Sequence, residues 1–125
     1  MSNDKSPWRS GGCHCGRVRF EIRPPARALA CNCSICAKKG FLGLIVEAED
    51  FRLLRGEDAL QTYQFNTGVA QHRFCGTCGI HPFSRPRSHP GAYDVNARCL
   101  DDGCADIPVD TFDGQNWEQN VETIR

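Results

Sequence analysis

Seven of the nine cysteines fall into three tight groups: Cys13-x-Cys15, Cys31-x-Cys33-x-x-Cys36 and Cys75-x-x-Cys78. Thiolates at these spacings hold metal. Zinc takes four tetrahedral ligands at about 2.3 Å from sulfur, so its thiolates sit roughly 3.8 Å from one another. Cys-x-Cys on a strand puts both side chains on one face, and Cys-x-x-Cys in a turn brings its sulfurs equally close. Gly76 and Gly79, flanking the last group, let the backbone fold tightly beneath an ion. Four thiolates make a closed, structural site, whereas three leave a position open for exchange and reaction. The count is two plus two, and separately three. It predicts one closed four-cysteine site and one three-cysteine site with a vacancy, and leaves open which pair joins which. The plainer reading is a single zinc ribbon with spare buried cysteines, since free cysteine is a common core residue. That reading suits the isolated Cys99 and Cys104 better than seven grouped thiols.

Composition decides between metal and disulfides. Nine cysteines in 125 residues is about 7%, below the roughly 8–10% that marks a disulfide scaffold. An odd number cannot pair off within one chain. The first residues, MSNDKSPWR, contain no apolar signal segment, which predicts a cytoplasmic location with reduced thiols. Fifteen Lys and Arg balance fifteen Asp and Glu. A net charge of zero argues against holding nucleic acid through overall charge and gives no polybasic attraction to a membrane. No apolar run approaches the roughly 20 residues that span a bilayer. The expected partner is therefore a small molecule.

The elements that must position these cysteines read as strands. Residues 17–23 alternate polar and apolar, which predicts a half-buried strand ended by Pro24-Pro25. Further strands are expected at 28–31, 41–46, 51–54, 60–65, 69–74, 80–84 and 92–98, and another at 109–112. Helix is scarce, with its best position a turn after Cys36. This predicts an all-β chain: a flexible stretch over residues 1–10, then one zinc-binding domain over 11–125.

The cysteine blocks carry a resemblance. Gly12-Cys13-His14-Cys15-Gly16, with Val18-Arg19-Phe20-Glu21, comes first. Cys31-Asn32-Cys33-Ser34-x-Cys36 follows, then Phe74-Cys75-x-x-Cys78-Gly79-x-His81-Pro82-Phe83. In order and spacing these are similar to the glutathione-dependent formaldehyde-activating enzyme family. Val95-Asn96-x-Arg98-Cys99-Leu100-Asp101 and Phe112-Asp113-Gly114-x-Asn116-Trp117-Glu118 look like one branch of it. The resemblance covers roughly residues 11–118, and centromere protein V is similar as well, so membership does not settle one function. It implies an Mss4-like zinc-binding fold of small antiparallel sheets. It also implies a pairing: Cys13, Cys15, Cys75 and Cys78 around a structural zinc, and Cys31, Cys33 and Cys36 around a functional, labile one.

The implied activity is that of a carbon–sulfur lyase. A zinc with an exchangeable position lowers the pKa of a bound thiol and polarises a carbonyl. Glutathione supplies the thiol and formaldehyde the carbonyl, and their adduct is S-hydroxymethylglutathione; a related thiol adduct is a further candidate. Two facts of chemistry favour the alternative, a noncatalytic glutathione- or protein-binding module. Thiols add to formaldehyde unaided, and three thiolates make zinc a poor Lewis acid. Among the other residues, His14 should face away from the metal, and His72 and His81 lie near the Cys75–Cys78 knuckle. His81 is expected to reach a sulfur or simply to pack. Asn32 and Ser34 interleave the ligands as possible donors to thiolate. Lys38, Lys39, Arg73, Arg85 and Arg87 are candidates for glutathione's carboxylates. Phe112 and Trp117 read as core, and Cys99 as a buried thiol or a fourth ligand.

Overall fold

The computed structural model describes residues 6–65 and 68–123. Ten strands are described: β1 (Arg9–Gly12), β2 (Arg19–Ile22), β3 (Ala28–Cys31), β4 (Leu42–Glu47), β5 (Phe51–Arg55), β6 (Leu60–Tyr63), β7 (Gln71–Cys75), β8 (Phe83–Arg85), β9 (Ala92–Asn96) and β10 (Val109–Phe112). The two α-helices are short: α1 (Ser34–Lys39) and α2 (Trp117–Asn120). The chain is all-β. Strands β1-β2-β5 form an antiparallel sheet, and β10-β3-β4-β9-β8-β7-β6 form a second sheet of seven strands.

Period-two alternation in the second sheet does two jobs. One face carries Leu44, Val46, Phe83 and Val95 into the core, where Phe20 and Ile22 of β2 meet them from the first sheet. Phe20 and Ile22 are completely buried, as the alternation over 17–23 predicts. The opposite face carries Leu29, Ile45, Asp94, Ser84 and His72, and this face borders a cavity rather than open solvent.

Several local expectations shift. Arg9 and Ser10 belong to β1, so the boundary expected at residue 11 falls inside a strand; residues 1–5 lie outside the described set. The helix after β3 begins at Ser34, before Cys36, because Cys33 caps it: its sulfur accepts the Cys36 N–H. It stops at Gly40, whose φ of 67° closes the end in the left-handed conformation. Strand β10 pairs with β3 in parallel, where small antiparallel sheets were expected. A parallel neighbour needs a long crossover, and the segment after β9 supplies it. Among the described residues, no helix is long and apolar enough to cross a membrane.

Candidate functional site

Cys13 follows β1 and Cys15 lies in the turn to β2; Cys75 ends β7 and Cys78 lies in the turn to β8. The four sulfurs lie within 4.8 Å of one another. Cys13 to Cys15 is 3.6 Å and Cys15 to Cys75 is 3.7 Å. That is close to the roughly 3.8 Å edge of a zinc–thiolate tetrahedron. The backbone N–H of Val18 donates to Cys13 Sγ at 3.3 Å, and that of Thr77 to Cys75 Sγ at 3.4 Å. Such bonds spread thiolate charge, so the donor set suits zinc. Cys13-x-Cys15 lies in a turn and not on the expected strand, because the chain must reverse here between β1 and β2. Gly16, at φ 83°, makes that reversal, and His14 projects into solvent at its tip.

The other three cysteines come from one short stretch. Cys31 ends β3, Cys33 caps α1 and Cys36 lies within the helix, with all three sulfurs within 4.8 Å. The Cys33 N–H donates to Cys31 Sγ at 3.5 Å. Hydrogen bonding with Cys31 and Cys36 holds the Cys33 thiol well below its ordinary pKa, while contact with Cys31 and Cys33 pushes Cys36 up. Among the described residues no fourth His, Cys, Asp or Glu joins this group. Cys99 does not complete it: its thiol points at the His81 carbonyl, 3.9 Å away, and burial pushes its pKa up to about 12. Gly114 presses on the group from the segment after β10, where a Cβ would stand 2.3 Å from Cys31 Sγ.

These cysteines form one wall of a cavity of about 560 Å³. Its floor is the second sheet. Cross-strand pairing sets Ile45 beside Asp94, Asp94 beside Ser84, and Ser84 beside His72. His81 Nε2 lies 2.7 Å from Ser84 Oγ, which in turn lies 3.4 Å from His72 Nδ1. Burial, with Lys39 and His72 nearby, lowers the His81 pKa to about 3 and keeps the ring neutral. Asp94 Oδ1 is buried with no hydrogen-bond partner. Burial, with the Cys33 charge adding, pushes its carboxyl up to about 7.

Comparison with known proteins now identifies the architecture. The family model described as glutathione-dependent formaldehyde-activating enzyme matches residues 8–117. The chain belongs to that family. It is also similar to the crystal structure of a Rhodobacter sphaeroides protein, with a TM-score of 0.72 and 36% identity over 81% of this chain and 99% of that one. The formaldehyde-activating match spans all three cysteine groups and the cavity floor, and it ends at Trp117 on the cavity wall.

Within this formaldehyde-activating fold several residues do other work than their sequence neighbourhood suggests. Asn32 does not donate to a thiolate. Its Nδ2 donates to Asp113 Oδ1 at 3.1 Å and its Oδ1 accepts the Gln115 N–H at 3.0 Å, which latches the Cys31–Cys36 stretch to the later segment. His81 reaches Ser84 instead of a sulfur. Phe112 is buried, as expected, and also lines the cavity, whereas Trp117 lines it half-buried. Of the five candidate cations only Lys39 and Arg87 line the cavity. Arg87 stacks 3.6 Å over Trp117 and pairs with Glu118. Arg73 pairs with Glu57, Arg85 donates to the Ala92 carbonyl, and Lys38 is exposed. Asp94 and Ser84 escape a sequence reading, because Ala92–Asn96 alternates like any half-exposed strand and assigns Asp94 to the solvent face.

Proposed function

We propose that the chain performs glutathione-dependent formaldehyde activation as a carbon–sulfur lyase. It joins the glutathione sulfur to formaldehyde as S-hydroxymethylglutathione, and cleaves the same bond in reverse. One observation carries this reading: among the described residues, a three-cysteine group with no fourth His, Cys, Asp or Glu beside it forms one wall of a cavity. Cys31, Cys33 and Cys36 would hold a zinc, which would supply an exchangeable position for a thiol. The four-cysteine group of Cys13, Cys15, Cys75 and Cys78 would hold a structural zinc.

The chain's own residues do the rest. A cavity of about 560 Å³ lies within the 300–1,000 Å³ typical of small-molecule sites. Lys39 is exposed overall, its ammonium partly desolvated beside the cavity, and it lines that cavity as a cation for a substrate carboxylate. Arg87 lies over Trp117 and pairs with Glu118, and it lines the cavity with N–H donors remaining. Glutathione carries two carboxylates for these two cations. Phe41 and Phe112 give the cavity apolar lining.

The test is exchange between formaldehyde and S-hydroxymethylglutathione, followed by nuclear magnetic resonance with and without protein carrying two zinc equivalents. Acceleration over the spontaneous rate is expected, and Cys33→Ala should abolish it. Tight glutathione binding without acceleration would replace the lyase with a glutathione-binding module.

A further inference from the structure

The cavity floor holds a carboxyl group that neither zinc site uses. Asp94 sits mid-sheet on β9, flanked by Ile45 of β4 on one side and Ser84 of β8 on the other. Buried carboxyls are expensive and are normally paired or hydrogen-bonded. Asp94 Oδ1 has neither relief: it is buried and has no hydrogen-bond partner, and its residue borders the cavity that the three cysteines wall. Space has been left for it. A Cβ at Gly43 would lie 2.4 Å from Asp94 Oδ1, so glycine on the neighbouring strand is what accommodates the carboxyl. Of the other polar groups of the floor, Ser84 Oγ lies between His81 Nε2 and His72 Nδ1, while His81 Nδ1 is likewise buried without a partner.

We propose that the Asp94 carboxyl group donates a proton to the carbonyl oxygen of formaldehyde as the glutathione sulfur closes on its carbon. The inference rests on the lyase reading above. A carbon–sulfur bond forms, the carbonyl π bond breaks, and its electron pair goes to oxygen, which takes the proton from Asp94. The carboxylate left behind recovers a proton from the next glutathione thiol entering the cavity. The sum moves one proton from sulfur to oxygen, with nothing oxidised or reduced. In cleavage Asp94, as carboxylate, removes the hydroxyl proton while the carbon–sulfur bond breaks. The group is suited to both directions. Burial pushes its pKa up to about 7, where acid and base forms are both present at neutral pH. His81 is a poorer proton source, since burial keeps its ring neutral. Lys39 also lines the cavity, and as a cation it serves substrate carboxylates.

Two variants, Asp94→Asn and Asp94→Ser, test this in the zinc-loaded protein, so that one remains should the other fail to fold. Three quantities are read: zinc per chain, the glutathione dissociation constant, and the protein-dependent rate of exchange between formaldehyde and S-hydroxymethylglutathione. Both variants are expected to keep two zincs and bind glutathione within about twofold of wild type, while the rate falls by about 100-fold, the low end for general acid–base catalysis. A folded, zinc-replete variant that retains the wild-type rate overturns the role of Asp94 and leaves the lyase reading standing. A wild-type rate no greater than the spontaneous one overturns the lyase reading itself, and the proton-donor role falls with it.

Discussion

At Asp94 the cost of burial changes with pH, and its sign can be worked out. The folded carboxyl titrates at about 7, against 3.8 for the unfolded chain. Between those values the folded state binds more protons than the unfolded state, so stability falls as pH rises through this window. Asp94→Asn removes the dependence. In urea unfolding at fixed zinc, the variant should gain on wild type from about pH 4 to pH 7 and hold a constant advantage above, on the order of a few kcal/mol. An advantage that does not vary with pH would refute this account of the site. The cysteines behave differently. Cys33→Ala removes a proposed ligand from a stretch that closes almost no chain, so the loop entropy at stake is small. The variant is expected to fold with a melting temperature near that of wild type and to carry one zinc, as metal analysis with circular dichroism would show. Unfolding on this substitution would mean that the second site is structural.

The elements show how much the sequence discloses. Alternation over 17–23 marks β2 and its buried Phe20 and Ile22, because a strand with one face on the core needs a period of two. The same rule misleads at β9. It separates Val95 from Asp94 correctly, but it cannot know that α1 and the segment around Gly114 cover the second face and turn an outward carboxyl into a cavity wall. The parallel pairing of β10 with β3 is equally hidden, since register between strands so far apart is fixed by tertiary packing and not by local pattern. That pairing brings Gly114 against Cys31 and Cys33. A methyl group there meets Cys31 Sγ at 2.3 Å, and so Gly114→Ala must displace either the sulfur or the segment. The expected result is faster chelator removal of one zinc, with the other unaffected. Asn32→Ala, which loses the latch to Asp113 and Gln115, should act in the same direction more mildly, through two exposed hydrogen bonds of about 1 kcal/mol each.

For the whole molecule the four-cysteine group stands where a bound metal would staple the two sheets. Cys13 and Cys15 belong to the hairpin of the three-stranded sheet, while Cys75 and Cys78 belong to that of the seven-stranded one. Metal bound there would tie together two layers whose contact is the core, and structural zinc in small domains is worth on the order of 10 kcal/mol. Cys13→Ser or Cys75→Ser should therefore leave the protein largely unfolded by circular dichroism. Chelator titration of the wild type should release one zinc with the fold intact, then the second together with the fold. Simultaneous loss of both would sink the division into two kinds of site. The parallel β3–β10 pair adds an order in time. As the polypeptide leaves the ribosome, all four ligands of the staple are available once Cys78 has emerged, whereas the three-thiol loop stays without its cover until β10 and Gly114 follow. Nascent chains stalled with Cys78 outside the exit tunnel and β10 still within it should hold one zinc against chelator, not two. On the proposed division of roles, synthesis would secure the metal between the layers before it closes the pocket around the other.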